Sequence, residues 1–174
     1  MIDFSKLNSQ FSDVVQQLIE NCQKEGYHLV PYVGLRSLSD QAKLWRISRP
    51  TTVINQEIDN LRQQGCDYLA SVLEAVGIQP AGTWKTNAIP GLSWHNWCEA
   101  CDFYWLQENG TVNWSGTSVG YKILGQEAAK LHLTWGGNFK SKPDYGHVQL
   151  RSQEIPDLYT IQEVNDYFEK LNSQ

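Results

Sequence analysis

The chain has 174 residues, 41% hydrophobic and 19% charged, with 7 Trp and 8 Tyr, which is enough to bury a core without disulfides and too apolar for disorder. A formal net charge of -5, with no cluster of Lys or Arg, excludes the basic face of an ordinary nucleic-acid binder. No run of about 18 apolar residues is present to insert in a membrane, and Cys22, Cys66, Cys98 and Cys101 lack scaffold spacing and read as reduced thiols.

In chain order, residues 9–24 set Phe11, Val14, Val15, Leu18, Ile19 and Cys22 at helical spacing, with Gly26 as a stop. YHLVPYVGL (27–35) reads as a strand interrupted or edged by Pro31. The run Ser37-Leu38-Ser39-Asp40 can cap a helix through Gln41–Ile47. Residues 56–76 predict another helix, with Ile58, Leu61, Cys66, Leu69, Val72, Leu73 and Val76 on its apolar side. Gly, Pro and Thr make 77–93 a loop, and the types from Cys98 onward suit a strand. ENGTVNWSG carries an Asn-Gly turn, and 119–133 a helix with Ile123, Leu124, Ala128 and Leu131 inward. WGGNF (135–139) reads as a turn, HVQL (147–150) as a short strand, and 161–171 as a last helix. Helices and short strands mix without a βαβ rhythm, linker or repeat. The expectation is one α+β domain over 1–174, a small antiparallel sheet with packed helices.

The densest chemistry lies in GLSWHNWCEACDFYW (91–105). Strand alternation puts Cys98, Ala100, Asp102 and Tyr104 on one face and Glu99, Cys101, Phe103 and Trp105 on the other. Asp102 is then a carboxylate on an apolar strand, in need of a cation, an arginine or a metal. Cys98 and Cys101 have knuckle spacing but no second pair, so they read as small core thiols. His95 falls in the turn before the strand, and DYGH (144–147) sets a carboxylate three residues before His147. His95, Asp102 and His147 would make a three-ligand zinc set with a fourth position open. Satisfied core or surface histidines are the alternative reading of the same residues.

Ser93-x-His95-x-x-Cys98-x-Ala100-x-Asp102 resembles the Ser-x-His-x-x-Gly-x-Ala-x-Asp signature of LAS-type zinc peptidases. These include D-alanyl-D-alanine carboxypeptidases, VanX/VanY-like dipeptidases and phage L-alanyl-D-glutamate endopeptidases. GLRSLSDQAKLW, WGGNF and DYGHVQ resemble three further family segments in the family's order, so the likeness covers about residues 10–150. The WGG and Asp-x-x-His pair looks most like the phage and prophage endopeptidases. Cys98 departs from the family glycine, so the position must admit a small thiol or a different turn.

The resemblance implies that His95, Asp102 and His147 bind zinc and that Asp144 is the general base. It also implies that Arg36 stabilises the oxyanion and that Ser93 holds substrate backbone. Taken singly, Arg36 could pair with Asp40, Asp144 could cap a turn and Ser93 could be a turn residue. His28 and His132 read as structural, Trp94 and Trp97 flank the proposed site, and Glu99 reads as facing solvent or paired with a base. The implied partner is the peptidoglycan stem peptide, cut by a monomer most simply at L-alanyl-D-glutamate. A D-alanyl-D-alanine carboxypeptidase or dipeptidase is the alternative, as is a non-catalytic zinc-stabilised wall-binding module. The N-terminus MIDFSKLNSQFSDVVQQ lacks the pattern of a secretory signal, so the expectation is an endolysin made in the host cytoplasm and released to the wall.

Overall fold

A computed structural model describes residues 2–173. In chain order the elements are α1 (Ser9–Lys24), β1 (His28–Val33), α2 (Leu38–Arg46), α3 (Thr51–Gln63), α4 (Asp67–Ala75) and β2 (Ala100–Leu106). Then come β3 (Val112–Asn113), α5 (Val119–Lys130), β4 (Thr134–Trp135), β5 (His147–Gln149) and α6 (Ile161–Asn172). This is the α+β content expected. The chain divides into two compact units: one holds residues up to Leu35 and Trp97–Ser152, the other Arg36–Asn96 and the chain from Gln153. Among the described residues no helix is long and apolar enough to cross a membrane.

The first unit is built on an antiparallel sheet of order β1-β2-β5-β4, with β3 paired to the far end of β2. β1 is an edge strand, the place where Pro31, lacking an N–H, is tolerated. α1 starts where Asn8 Oδ1 accepts the Phe11 N–H (3.2 Å) and buries Phe11, Val15, Leu18 and Cys22. These meet Leu29, Cys101, Phe103 and Val148 of the sheet and Tyr121, Leu124 and Ala128 of α5 in one core. The alternation foreseen for β2 holds from Ala100: Cys101 and Phe103 enter the core, so Ala100, Asp102 and Tyr104 face the other way. α5 stops at Lys130, short of the expected 133. His132 turns left-handed (φ 58) and the Leu133 N–H returns to the Ala128 carbonyl (2.9 Å). Trp135, the first residue of the expected WGGNF turn, instead joins Thr134 in the edge strand β4, paired with β5.

In the second unit α2 begins at Leu38, earlier than expected, because Ser37 Oγ accepts the Asp40 N–H (3.0 Å). The single helix expected over 56–76 is two. Gly65 turns left-handed (φ +73) and the Cys66 N–H closes back on the Leu61 carbonyl (2.8 Å), ending α3 before α4 starts. The apolar period runs through this break, which hides it in the sequence. α6 starts in a capping box between Thr160 and Glu163 and buries Val164 and Phe168. Its Asn165 Oδ1 accepts the Leu69 N–H in the first turn of α4 (3.1 Å). Gly91 (φ +86) passes so close to α6 that a Cβ there would lie 2.6 Å from Val164 Cγ1. Only glycine lets the loop before His95 run along this path.

Candidate metal centre

Antiparallel pairing of β2 with β5 sets Asp102 directly opposite His147. Both are 9% exposed, and His147 Nδ1 lies 2.9 Å from Asp102 Oδ1. The other ring nitrogen, Nε2, is 3.0 Å from Gln149 Oε1. The Gln149 amide NH2 donates to the Arg151 carbonyl (2.8 Å), which assigns its oxygen to His147. Nε2 therefore donates to Gln149, and the Nδ1–Asp102 contact is a hydrogen bond when Nδ1 carries a proton as well, a proton that a metal ion on Nδ1 would displace. Burial pulls the His147 pKa down, but the hydrogen bond and charge of Asp102, the charge of Asp144 and the Gln149 bond outweigh it and raise it overall. The partner Asp102 needed is thus a histidine.

His95 is 2% exposed and sits in a turn closed by the Asn96 N–H on the Ser93 carbonyl (2.8 Å). Asn96 secures this turn twice over: its Oδ1 accepts the Gly91 N–H (3.0 Å), and its Nδ2 donates to the Arg36 carbonyl (2.9 Å). The Arg36 N–H in turn reaches the His95 carbonyl (3.1 Å), so the arginine backbone is zipped to the histidine turn. Arg36 Nη1 donates to Gln41 Oε1 (2.9 Å), and fully buried Gln41 donates onward to the Ala88 carbonyl (2.8 Å). Asp40, the surface partner considered for Arg36, holds Ser37 Oγ and Lys43 Nζ, each at 2.8 Å.

His95, Asp102 and His147 each offer one ligand atom and make up a group that could hold a metal ion. Two imidazoles and a carboxylate suit zinc as a catalytic three-ligand set. Cysteine plays no part in the group. Cys101 is buried in the first unit's core, where burial and the Asp102 charge raise its pKa.

Asp144 is exposed at the start of the bend that leads into His147. Its N–H donates to the Gly136 carbonyl (2.9 Å), and its carbonyl accepts the His147 N–H (3.2 Å). A Cβ on Gly136 would lie 2.5 Å from the Asp144 carbonyl oxygen and 2.9 Å from His147 Cβ. Trp135 Nε1 donates to the Tyr145 carbonyl (2.8 Å). The WGG stretch is therefore the mould in which the Asp144–His147 bend is cast.

A model of the VanY family, described as D-alanyl-D-alanine carboxypeptidase, matches residues 4–146. The chain belongs to that family. As a VanY-family protein it is a zinc metallopeptidase acting on peptidoglycan, and the donor set of His95, Asp102 and His147 fits that metal. Among solved structures, the chain is similar to the Serratia marcescens L-Ala D-Glu endopeptidase ChiX at 17% identity and a TM-score of 0.46, over 85% of this chain and 83% of that one. It is also similar to a mutant of the vancomycin-resistance D,D-pentapeptidase VanY from a VanB-type cassette, in complex with Zn(II). That likeness has 15% identity and a TM-score of 0.48, over 94% of this chain and 78% of that one.

The remaining expected residues of this VanY-family chain fall as follows. Ser93 is half-buried, with its carbonyl closing the His95 turn. Trp94 is buried and donates to the Gln153 carbonyl (3.0 Å), which makes it a structural residue of the second unit, while Trp97 is half-buried. Glu99 does not face solvent. It is buried and pairs with Arg151, with Nε 2.6 Å from Oε2, which is the other option considered for it. His28 and His132 are exposed and outside the metal-ligand group. Cys98, where the family signature has glycine, adopts φ 62, the left-handed backbone that glycine takes freely. Neither Gln41 nor Gln149 stands out as a candidate in the sequence. The motif letters in GLRSLSDQAKLW and DYGHVQ contain both, but only the fold shows what they hold.

Proposed function

We propose that this VanY-family chain cleaves the L-alanyl-D-glutamate bond of the peptidoglycan stem peptide. The observation that carries the reading is the packing of Gly136 against Asp144 and His147, which ties together the WGG and Asp-x-x-His motifs that resemble the endopeptidases. His95, Asp102 and His147 would hold the zinc. Zinc in such a set supplies Lewis acidity and brings the pKa of water down to about 7. Asp144 takes the proton of the attacking water and returns it to the departing amino group. Arg36, its fork held by Gln41, donates to the carbonyl oxygen as negative charge builds there. Ser93 holds the substrate backbone beside the His95 turn.

Isolated peptidoglycan incubated with the protein, with and without chelator, tests this by mass spectrometry of the products. Fragments with a new N-terminal D-glutamate, lost on chelation and restored by zinc, are expected. Release of terminal D-alanine would instead support the second reading, a D-alanyl-D-alanine carboxypeptidase, which the family description favours.

A further inference from the structure

Three aromatic side chains from separate parts of the chain meet on the first unit. Tyr32 and Tyr104, Tyr32 and Trp114, and Tyr104 and Trp114 each have ring centroids 5.8 Å apart, tilted or edge-on. The strand register assembles them. Val30 lies opposite Tyr104 on β1 and β2, and the irregularity between Pro31 and Val33 brings Tyr32 alongside. Asn113 pairs with Trp105, so the next residue, Trp114, emerges on the face of Tyr104. Trp114 is 64% exposed and Tyr32 47%. Burial in a core does not account for rings so open to water.

The support beneath Trp114 is firm. The Asn113 carbonyl accepts from Tyr121 Oη (3.0 Å), and Asn113 Oδ1 accepts the Ser115 N–H (2.8 Å). Gly116 fits so closely over Tyr145 that no Cβ could be placed there. The rings are thus presented in advance rather than gathered on binding, which lowers the entropic cost of engaging a ligand.

We propose that Tyr32, Tyr104 and Trp114 form a stacking platform for the glycan strand of peptidoglycan. A pyranose ring offers an apolar C–H face to an aromatic ring and hydroxyl and acetamido groups at its edge. Asn113, Ser115 and Thr117 supply polar partners next to the rings, and the segment 113–117 carries no charge. An anionic lipid surface or polymer would find no lysine or arginine there, on a chain of net charge -5. Tyr104 also shares the face of Asp102, two residues and about 7 Å along β2. The stem peptide hangs from the glycan by its L-alanine, so an aromatic platform at that distance suits cleavage next to the sugar. In this respect the proposal rests on the L-alanyl-D-glutamate assignment.

The test is titration of the full chain with a peptide-free hexamer of β-1,4-linked N-acetylglucosamine, read by tryptophan fluorescence and calorimetry. The wild type should bind, and Trp114→Ala and Tyr32→Ala should each weaken binding about tenfold. Trp114→Phe should keep most of the affinity, and Trp84→Ala, at another exposed tryptophan, all of it. Unchanged unfolding midpoints establish that the variants are folded. No binding at millimolar sugar, or equal binding by Trp114→Ala, overturns the platform. So does self-association in sedimentation that Trp114→Ala abolishes without any sugar binding, since a second copy would then be the occupant. The hexamer contains no peptide bond, so a wrong bond assignment would show in the digestion products and leave this titration untouched.

Discussion

Asp102 and His147 are opposite neighbours on β2 and β5, and the strand register sets the 2.9 Å approach of their side chains. A slip of one residue would turn one of them to the other face of the sheet. Gly146 guards that register: its carbonyl accepts the Phe103 N–H (2.8 Å), and a Cβ on it would lie 2.6 Å from the Phe103 carbonyl oxygen. Gly146→Ala should therefore push the strands apart, cost about 1–3 kcal/mol of stability and weaken zinc binding about tenfold. Urea unfolding and a competitive zinc titration measure the two effects. Undiminished zinc affinity would mean that the register does not hold the pair.

Gln149 fixes the ring of His147 through Nε2. Gln149→Leu leaves that N–H without its acceptor and the ring free to turn. Zinc affinity should fall about 10- to 100-fold, the usual scale for an outer partner of a ligating histidine. Gln149→Glu, which restores an acceptor, should recover much of it. Equal affinity in all three proteins would remove Gln149 from the centre.

Cys98 holds a left-handed conformation (φ 62) at the position where the family signature has glycine. Comparing Cys98→Gly with Cys98→Ala removes the thiol in both, so the backbone alone separates them. The glycine variant should be the more stable by about 1 kcal/mol, the cost of a Cβ in that conformation less the extra freedom of unfolded glycine. Turnover should stay within about twofold of wild type in the glycine variant. Equal stabilities would show that the turn carries no strain.

Burial, with the Glu127 charge second, pushes the Cys22 thiol up to about 12. Between the ordinary thiol value and 12 the unfolded chain loses this proton and the folded one keeps it. Stability from this group is thus complete below the ordinary value and falls as pH rises through that window. Unfolding midpoints should drop from about pH 9 upward, and less steeply in Cys22→Ala. At pH 8 the native protein should resist alkylation at Cys22 until it is unfolded. Rapid native alkylation at Cys22 would contradict the burial argument.

The proposed ligand residues stand out in the sequence because their spacing and types belong to one short signature and one short bend. β2 was equally open, since alternation alone separated Asp102 and Tyr104 from Cys101 and Phe103. Elements fixed by distant partners were harder to read. The α3–α4 break rests on Gly65, yet Ile58, Leu61, Leu69 and Leu73 keep the helical period on both sides of it. Glu99 gives no hint of Arg151, 52 positions away, and Gln41 gives none of the Ala88 carbonyl, 47 away. Tyr32 and Trp114 became neighbours only through the register of β1, β2 and β3.

In the proposed mechanism His95, Asp102 and His147 hold zinc while Asp144 moves the proton. Zinc content and turnover, measured on one preparation of Asp144→Asn, test it most directly. The variant should hold one zinc per chain, as the wild type does, with hydrolysis of peptidoglycan down about 10²- to 10⁴-fold, the range for loss of a general base. Turnover at the wild-type rate with zinc in place would contradict it.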